Sequence, residues 1–95
     1  MAKLSARGRT EIHRVKKEMA VKPDDDVSYR KQTVCLMSDG TVLEKMTVRF
    51  KPIMSFDDPK GRLHDWGFKV KGKIKAGVTA EAWLAKYLAS GYVVD

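Results

Sequence analysis

An Asp-Gly dipeptide at positions 39–40, set between two β-rich runs, constrains the fold of this chain more than any other feature. The runs cover residues 28–38 and 41–51, and both are rich in the residue types that favour strands. Asp-Gly is preferred in the two-residue type I′ turn, where both central residues have positive φ. The sequence therefore predicts an antiparallel hairpin that turns at this dipeptide.

The type I′ turn also predicts the register of the hairpin, because it places Ser38 opposite Thr41 and Tyr29 opposite Phe50. Residues that lie opposite each other share one side of the sheet. The predicted core face carries Tyr29, Thr33, Cys35, Met37, Val42, Met46, Val48 and Phe50. The predicted outer face, apolar near the turn and basic toward the open end, carries Arg30, Gln32, Val34, Leu36, Leu43, Lys45, Thr47, Arg49 and Lys51.

A further strand is predicted over residues 66–75, where apolar and lysine side chains alternate. The apolar positions are Trp66, Phe68, Val70 and Ile74, with Gly72 on the same side, and the alternate positions are Lys69, Lys71, Lys73 and Lys75. Strict alternation indicates a half-buried strand with one wet face. A turn-rich connection over residues 53–63 leads into this strand.

The last predicted element is a helix that begins after Thr79 and ends before Gly91. Thr79 is suited to the N-cap, and Gly91 is suited to the C′ position. Glu81 falls in the first turn, where its negative charge interacts favourably with the positive end of the helix dipole. The apolar stripe of the helix consists of Trp83, Leu84, Tyr87 and Leu88. Such a broad stripe must be buried, and the core face of the sheet is the surface of comparable size.

Two segments leave more than one interpretation open. Residues 10–21 have apolar side chains both at helical spacing and along one face of a strand, and we favour a strand because the hairpin needs partners. Residues 92–94 are apolar and can return to the edge of the sheet, although a run this short carries little periodicity.

Together these elements predict an α+β fold, an antiparallel sheet of three to four strands with one C-terminal helix packed on one face. The chain has 95 residues, enough for one domain and too few for two, so a single domain is predicted over residues 1–95. Residues 1–9 are small and basic, and we expect a flexible arm there.

The charge of the chain is strongly positive, with 19 lysines and arginines against 12 acidic residues and a net charge of +7. Such a surplus attracts polyanions, for example nucleic acid or an acidic protein. The candidate nucleic-acid-binding residues on the predicted outer face are Arg30, Lys45, Arg49, Lys51, Lys69, Lys71, Lys73 and Lys75. Arg30 and Arg49 are predicted to lie opposite each other, a repulsion that a bound phosphate would relieve.

The same lysines have a plainer interpretation, because lysines on an exposed strand commonly prevent the edge of a sheet from pairing with other chains. The outer face is also predicted to lack exposed aromatic side chains, on which the bases of single-stranded RNA usually stack. We therefore expect any bound nucleic acid to be held by its backbone, with little sequence preference.

The sequence predicts neither an enzyme nor a metal or cofactor site. His64 and Asp65 are neighbours on a predicted strand and therefore point to opposite faces, which favours a structural role. His13 and His64 have no third ligand at a recognisable spacing. The single cysteine, Cys35, is predicted to be a small buried hydrophobe. With one cysteine, no signal sequence and no apolar run long enough to span a membrane, the chain is expected in the cytoplasm.

Four short blocks of the sequence also carry a resemblance: Leu36-Met37-Ser38-Asp39-Gly40, Val48-Arg49-Phe50-Lys51-Pro52, Gly61-Arg62-Leu63-His64-Asp65-Trp66-Gly67-Phe68-Lys69-Val70 and Gly91-Tyr92. The chain resembles a group of small, uncharacterised bacterial proteins that share these blocks, some of them structural-genomics targets. The resemblance implies a bacterial cytoplasmic protein of a compact α+β type. It implies no activity, so no functional residues follow from it.

Two hypotheses about function follow from these observations. The first is a binding module that contacts nucleic-acid phosphates through the basic face. The alternative is a protein-interaction or accessory subunit without catalytic activity. It would bind an acidic partner, or a second copy of the chain through Val34, Leu36 and Leu43 on the outer face. The sequence does not predict the oligomeric state.

Overall fold

In the computed structural model, which describes residues 10–52 and 61–95, the chain forms an antiparallel sheet and a C-terminal helix. The elements are β1 (Glu11–Met19), β2 (Val27–Met37), β3 (Thr41–Phe50), β4 (Leu63–Asp65), β5 (Lys69–Lys73), α1 (Ala80–Ala89) and β6 (Val93–Val94). The order across the sheet is β4-β3-β2-β1-β6, and β5 pairs with β3 at the same edge as β4. The predicted arm at residues 1–9, and residues 53–60 of the predicted connection, lie outside the described residues.

The α+β fold with one helix on the sheet is confirmed, but the sheet has six strands in the described residues instead of three to four. Residues 10–21 do contain a strand, β1, and residues 93–94 do return to the sheet as β6. The remaining addition is β4, three residues long, which begins at the last residue of the predicted connection. Strands as short as β4 and β6 leave too little alternation in the sequence to be recognised.

The predicted register of the hairpin is wrong by one residue. Leu36 lies opposite Val42, because the chain turns through three residues, 38–40, instead of two. The Gly40 N–H donates to the Met37 carbonyl oxygen at 2.9 Å, and Gly40 has a φ of 88°. This is the geometry of a three-residue hairpin loop that ends in a left-handed glycine, and an Asp-Gly dipeptide suits it as well as it suits a type I′ turn.

A shift of one residue reverses the faces of β3 relative to β2. One face, called the helix face because α1 packs on it, carries Arg30, Gln32, Val34 and Leu36 with Val42, Glu44, Met46 and Val48. The opposite face carries Tyr29, Lys31, Thr33 and Cys35 with Leu43, Lys45, Thr47 and Arg49. The predicted division into a core face and an outer face is therefore wrong for the hairpin as a whole. The helix α1 covers the side of β2 that was predicted to be open, with Val34 and Leu36, together with the side of β3 that was predicted to be core, with Val42.

Each face of the sheet has its own apolar cluster. On the helix face, the buried residues are Val15, Val34, Leu36, Val42 and Trp83. On the opposite face, Cys35, Met37 and Leu43 are buried and Phe68 packs against them. The predicted apolar contact patch is therefore part of the core, since Val34, Leu36 and Leu43 are between 1% and 5% exposed.

The predicted strand over residues 66–75 is shorter and less regular than expected. Its paired part, β5, sets Gly72 opposite Val42 and Val70 opposite Leu43, which leaves Lys71 as the extra residue of a bulge. A bulge interrupts the alternation, so the lysines of β5 do not share one face. Val70, predicted to be half-buried, is 66% exposed.

The helix follows the prediction closely. The Thr79 hydroxyl caps it by accepting a hydrogen bond from the Ala82 N–H at 3.1 Å, and Glu81 lies in the first turn. Gly91 has a φ of 98°, and the next N–H, that of Tyr92, donates back to the Tyr87 carbonyl oxygen. Of the predicted stripe, Trp83 is buried and Leu84 and Tyr87 are half-buried, but Leu88 is exposed.

Candidate functional site

The two arginines of the predicted site are not opposed. Arg30 lies opposite Val48 on the helix face, whereas Arg49 lies opposite Tyr29 on the other face. The Arg49 guanidinium donates from Nη1 to the Gly61 carbonyl oxygen at 2.9 Å. The predicted repulsion between the two arginines is therefore absent, and Arg49 links β3 to the chain that leads into β4.

Two lysines of the predicted site also make structural contacts. The Lys45 ammonium lies 4.8 Å from the centroid of the Phe68 ring, a cation–π distance. The Lys51 ammonium donates to the Pro23 carbonyl oxygen at 2.6 Å. Because Arg30 and Lys69 lie on the helix face whereas Lys45, Arg49 and Lys73 lie on the other, the structure does not bring the eight predicted residues together.

The lysines of β5 are divided by the bulge. Lys69 lies opposite Glu44 on the helix face, and Lys73 lies opposite Thr41 on the other face. The Lys71 ammonium is 3.9 Å from a Glu44 carboxylate oxygen, which already accepts a 2.8 Å hydrogen bond from the Gln32 amide. Lys71 therefore has a partly neutralising neighbour on the helix face.

A cavity of about 230 Å³ lies between β5, the segment that follows it, and α1. Four lysines belong to the lining of this cavity, Lys71, Lys73, Lys75 and Lys86, and we call it the lysine-rimmed cavity. Lys73 only borders it, because its register with Thr41 places its side chain on the other face of the sheet. Its apolar lining includes Val42, Ile74, Val78 and Trp83. The arrangement combines an apolar interior with a concentration of positive charge, and three of the four lysines belong to the predicted site.

Most of this charge has no acidic counterpart within residues 10–52 and 61–95. Among the described residues, Lys71 has an acidic partner within ion-pair distance, whereas Lys73, Lys75 and Lys86 have none. Burial raises the pKa of the Tyr87 phenol, and the charge of Glu44 raises it further. The hydroxyl beside the lysines therefore stays neutral at ordinary pH and adds no negative charge.

Aromatic side chains fix one wall of the cavity. The ring centroids of Trp83 and Tyr87 are 4.5 Å apart, and Tyr92 meets Tyr87 edge-on at 5.0 Å. On the sheet side, the His13 ring lies parallel to Trp83 with the centroids 6.5 Å apart. These contacts hold Trp83 and Tyr87 in place without any bound ligand.

Three features of this edge were missed in the sequence. Lys86 lies one helical turn after Trp83 and so borders the apolar stripe, a spacing that could have drawn attention to it. Trp66 was expected on the buried side of a strand but is 62% exposed, so an exposed aromatic ring does lie at this edge. The cavity itself had no sequence signal, because it depends on how α1 approaches β5.

A second cavity, of about 340 Å³, lies at the other edge of the sheet and is lined by Lys16, Lys17 and Lys31 together with Glu18. Here the charge is offset: the Lys16 ammonium is 3.3 Å from an Asp95 carboxylate oxygen. The Lys17 ammonium donates to a helix-end carbonyl oxygen at 2.9 Å. The second cavity therefore also carries several lysines, but unlike the lysine-rimmed cavity it has acidic residues among them.

The residues considered for catalysis have structural contacts. His64 and Asp65 lie opposite successive residues of β3 and so point to opposite faces, as predicted. Asp65 accepts a hydrogen bond from the Gly67 N–H at 3.0 Å, and the His64 ring meets Trp66 edge-on. Cys35 is fully buried, as predicted, and burial raises the pKa of its thiol to about 11.

Within residues 10–52 and 61–95, no three His, Cys, Asp or Glu side chains are grouped so that they could hold a metal ion. In the same part of the chain, no helix has the length and apolar character needed to cross a membrane. No protein-family model matches the chain, and no significantly similar curated protein or solved structure was found. The resemblance to small bacterial proteins therefore stays a prediction.

Proposed function

We propose that the chain is a small binding module that contacts nucleic-acid phosphates without strong sequence preference. The contacts are made by the lysines of the lysine-rimmed cavity and, next to them on β5, by Lys69. One observation carries the proposal: four lysines line a single cavity, and of these four only Lys71 has an acidic partner among the described residues. The proposal keeps the cytoplasmic location and the absence of catalysis that the sequence predicts.

The chemistry of lysine accounts for both parts of this proposal. A lysine ammonium is a compact, mobile charge that suits phosphate but lacks the planar fork with which arginine recognises a guanine edge. Contacts to phosphate position a nucleic acid and carry no sequence information. Arg30, Lys45, Arg49 and Lys51 belong to this proposal only as contributors to the overall positive field, because none of them is among the residues that line the cavity.

The test is a titration of a short labelled RNA strand and a short DNA duplex at low and moderate salt, followed by fluorescence anisotropy. The test variant replaces four lysines by glutamine: Lys71, Lys73, Lys75 and Lys86. The control variant removes the same charge from β1, the loop after it and β2: Lys16, Lys17, Lys22 and Lys31. We expect the first to lose at least about tenfold in affinity and the second to lose much less.

Equal losses in the two variants would show that binding follows net charge alone and would contradict a site at the cavity. Absence of binding by the parent protein at low salt would refute the proposed function itself. In that case the lysines act as protection for the exposed edge strand.

A second function, a protein-interaction or accessory subunit, is favoured by the apolar side chains along the edge formed by β4 and β5. Leu63, Trp66 and Val70 are 53%, 62% and 66% exposed. Exposed apolar groups on an edge strand suit pairing with another chain or with a second copy of this one. Sedimentation at high salt tests this function: a parent dimer that Leu63→Asp with Val70→Asp converts to a monomer would support it, and a monomeric parent would exclude self-association.

A further inference from the structure

We infer that the lysine-rimmed cavity receives one unpaired base of a single strand while the lysines hold the phosphates on either side of that base. The inference rests on the proposed function and deepens it, because it names the kind of nucleic acid that the module prefers. Four steps carry it: the size of the cavity, the chemistry of its lining, the placement of its charges and the state of the base.

The size of the cavity suits a single ring system. A cavity of roughly 150 Å³ already accommodates benzene, whereas pockets for drug-sized ligands begin at roughly 300 Å³. At about 230 Å³, the lysine-rimmed cavity lies between these limits. A planar one- or two-ring group therefore fits, and a large cofactor does not.

The lining suits the same group. Val42, Ile74 and Val78 provide apolar surface, and Trp83 and Tyr87 provide aromatic surface. Bases bind to such surfaces by stacking and apolar contact, which every base offers irrespective of its identity. This tolerance agrees with a module of weak sequence preference.

The charges lie on both sides of the cavity. Lys71 and Lys75 belong to β5 and the segment after it, whereas Lys86 belongs to α1. A small ligand with one anionic group would need cations at one end only. A strand that passes over the cavity has a phosphate before and after the inserted base, and this arrangement matches cations on both sides.

Whether the base is paired decides if a duplex or a single strand is preferred. A base in a duplex is stacked and paired, and it must be extruded at a cost of a few kcal/mol before it can enter a pocket. An unpaired base is available without most of this cost. The cavity therefore selects single strands over duplexes, whereas lysines acting alone would bind both.

The experiment compares two strands of equal length and charge, one with bases and one abasic, in the Trp66→Phe variant. The sequence has two tryptophans, so this substitution leaves Trp83 as the fluorescent reporter in the cavity. We expect the strand with bases to bind at least about fivefold more tightly than the abasic strand and to change the Trp83 emission. A free nucleoside monophosphate should bind far more weakly than either strand.

Filling the cavity supplies the second arm. Ala82 lines the cavity and is exposed, so Ala82→Phe should occupy the space without disturbing the core. We expect this variant to bind both strands with the affinity that the parent has for the abasic strand. The matched control is Ala85→Phe on the same helix, because Ala85 is exposed and does not line the cavity.

The outcomes separate the inference from the function on which it rests. Equal affinity of the parent for both strands, with unchanged Trp83 emission, overturns the inserted base and leaves phosphate binding intact. Failure of both strands to bind at low salt overturns the proposed function. Tight binding of the free nucleotide overturns the inference in favour of a small anionic ligand.

Discussion

Cys35 is a nucleophilic side chain that its surroundings make unreactive. It is fully buried in the cluster on the face opposite α1, with Met37 and Leu43. Burial, and after it the nearby carboxylate of Glu11, raises the pKa of its thiol from 9.0 to about 11. At neutral pH the side chain is therefore a neutral thiol that contributes by packing.

The raised pKa of Cys35 gives a prediction about stability against pH. In the unfolded chain the thiol loses its proton near pH 9, but in the folded chain it keeps the proton to about pH 11. Between these values the unfolded state binds fewer protons, so the free energy of unfolding should fall as pH rises through the window. Urea unfolding on either side of pH 9 measures this fall.

Cys35→Ala is the comparison that isolates the thiol. This variant should be less stable at every pH because it leaves a small cavity, but its stability should change less between pH 9 and pH 11. Burial also raises the pKa of Tyr87 and Tyr92, and their effect above pH 10 is common to both proteins. The same pH slope in the two proteins would contradict the role assigned to the Cys35 thiol.

Glu44 has a different part at the residue scale, because it is the acidic partner of Lys71 at the lysine-rimmed cavity. Its carboxylate also accepts the hydrogen bond from Gln32, which holds it on the helix face. Glu44 therefore limits the positive potential at the cavity, through a weak contact with the half-exposed Lys71 side chain. A phosphate that approaches Lys71 must compete with this carboxylate.

At the scale of elements, the link between β3 and β4 depends on a glycine. Gly61 has a φ of 88°, and a Cβ at this position would overlap the Phe50 carbonyl oxygen. The carbonyl oxygens of Gly61 and its neighbour Arg62 accept hydrogen bonds from the Arg49 guanidinium and the Phe50 N–H, both at 2.9 Å. No larger residue can occupy this position unless β3 and the start of β4 move apart.

Gly61→Ala is therefore expected to lower the free energy of unfolding by at least about 2 kcal/mol, through overlap with backbone and an unfavourable φ. Gly72→Ala is the matched control, because Gly72 has an ordinary φ and open space around it. We expect the control to lie within about 0.5 kcal/mol of the parent. Urea unfolding compares the two, and equal stability of both variants would contradict the close packing of β3 against residue 61.

The elements also show what sequence patterns could and could not predict. The helix was predictable because its cap, first-turn acid and C′ glycine are local signals that agree with each other. The register of the hairpin was not predictable, because Asp39-Gly40 suits both a two-residue and a three-residue loop. The difference of one residue moves every side chain of β3 to the other face of the sheet. The bulge at Lys71 likewise inserts one residue into an otherwise regular alternation, and no residue type marks it.

For the whole molecule, the distribution of charge matters more than its total. Both edges of the sheet carry lysines, but at the β1–β6 edge Glu18 and Asp95 lie among them. At the β5–α1 edge the single acidic partner in the described residues is Glu44. The sequence predicted one basic face from the hairpin and β5 together, and of those residues only Lys71, Lys73 and Lys75 line the cavity. It could not predict the contribution of α1, because Lys86 reaches the cavity only through tertiary packing.

This asymmetry predicts how binding responds to salt. The affinity falls as salt rises, so the slope of log K against log salt is negative. Each phosphate contact that is lost makes this slope less steep by about 0.7 for a single strand. Replacing Lys71, Lys73, Lys75 and Lys86 by glutamine should therefore make the slope less steep by roughly 2 to 3, since Glu44 already offsets part of the Lys71 charge. Adding Glu44→Gln to the parent protein should act in the opposite direction and steepen the slope.

The measurement is a salt series of anisotropy titrations with one single strand, on the parent, the lysine variant, the Glu44→Gln variant and the four-lysine control in β1, the loop after it and β2. The control removes the same net charge, so a long-range field would make both slopes equally shallow, whereas local phosphate contacts make the slope of the cavity variant alone shallower. If the slope of the control is as shallow as that of the cavity variant, binding follows the net charge of the molecule. A slope difference that Glu44→Gln shifts in the expected direction would assign it to the edge where β5 meets α1.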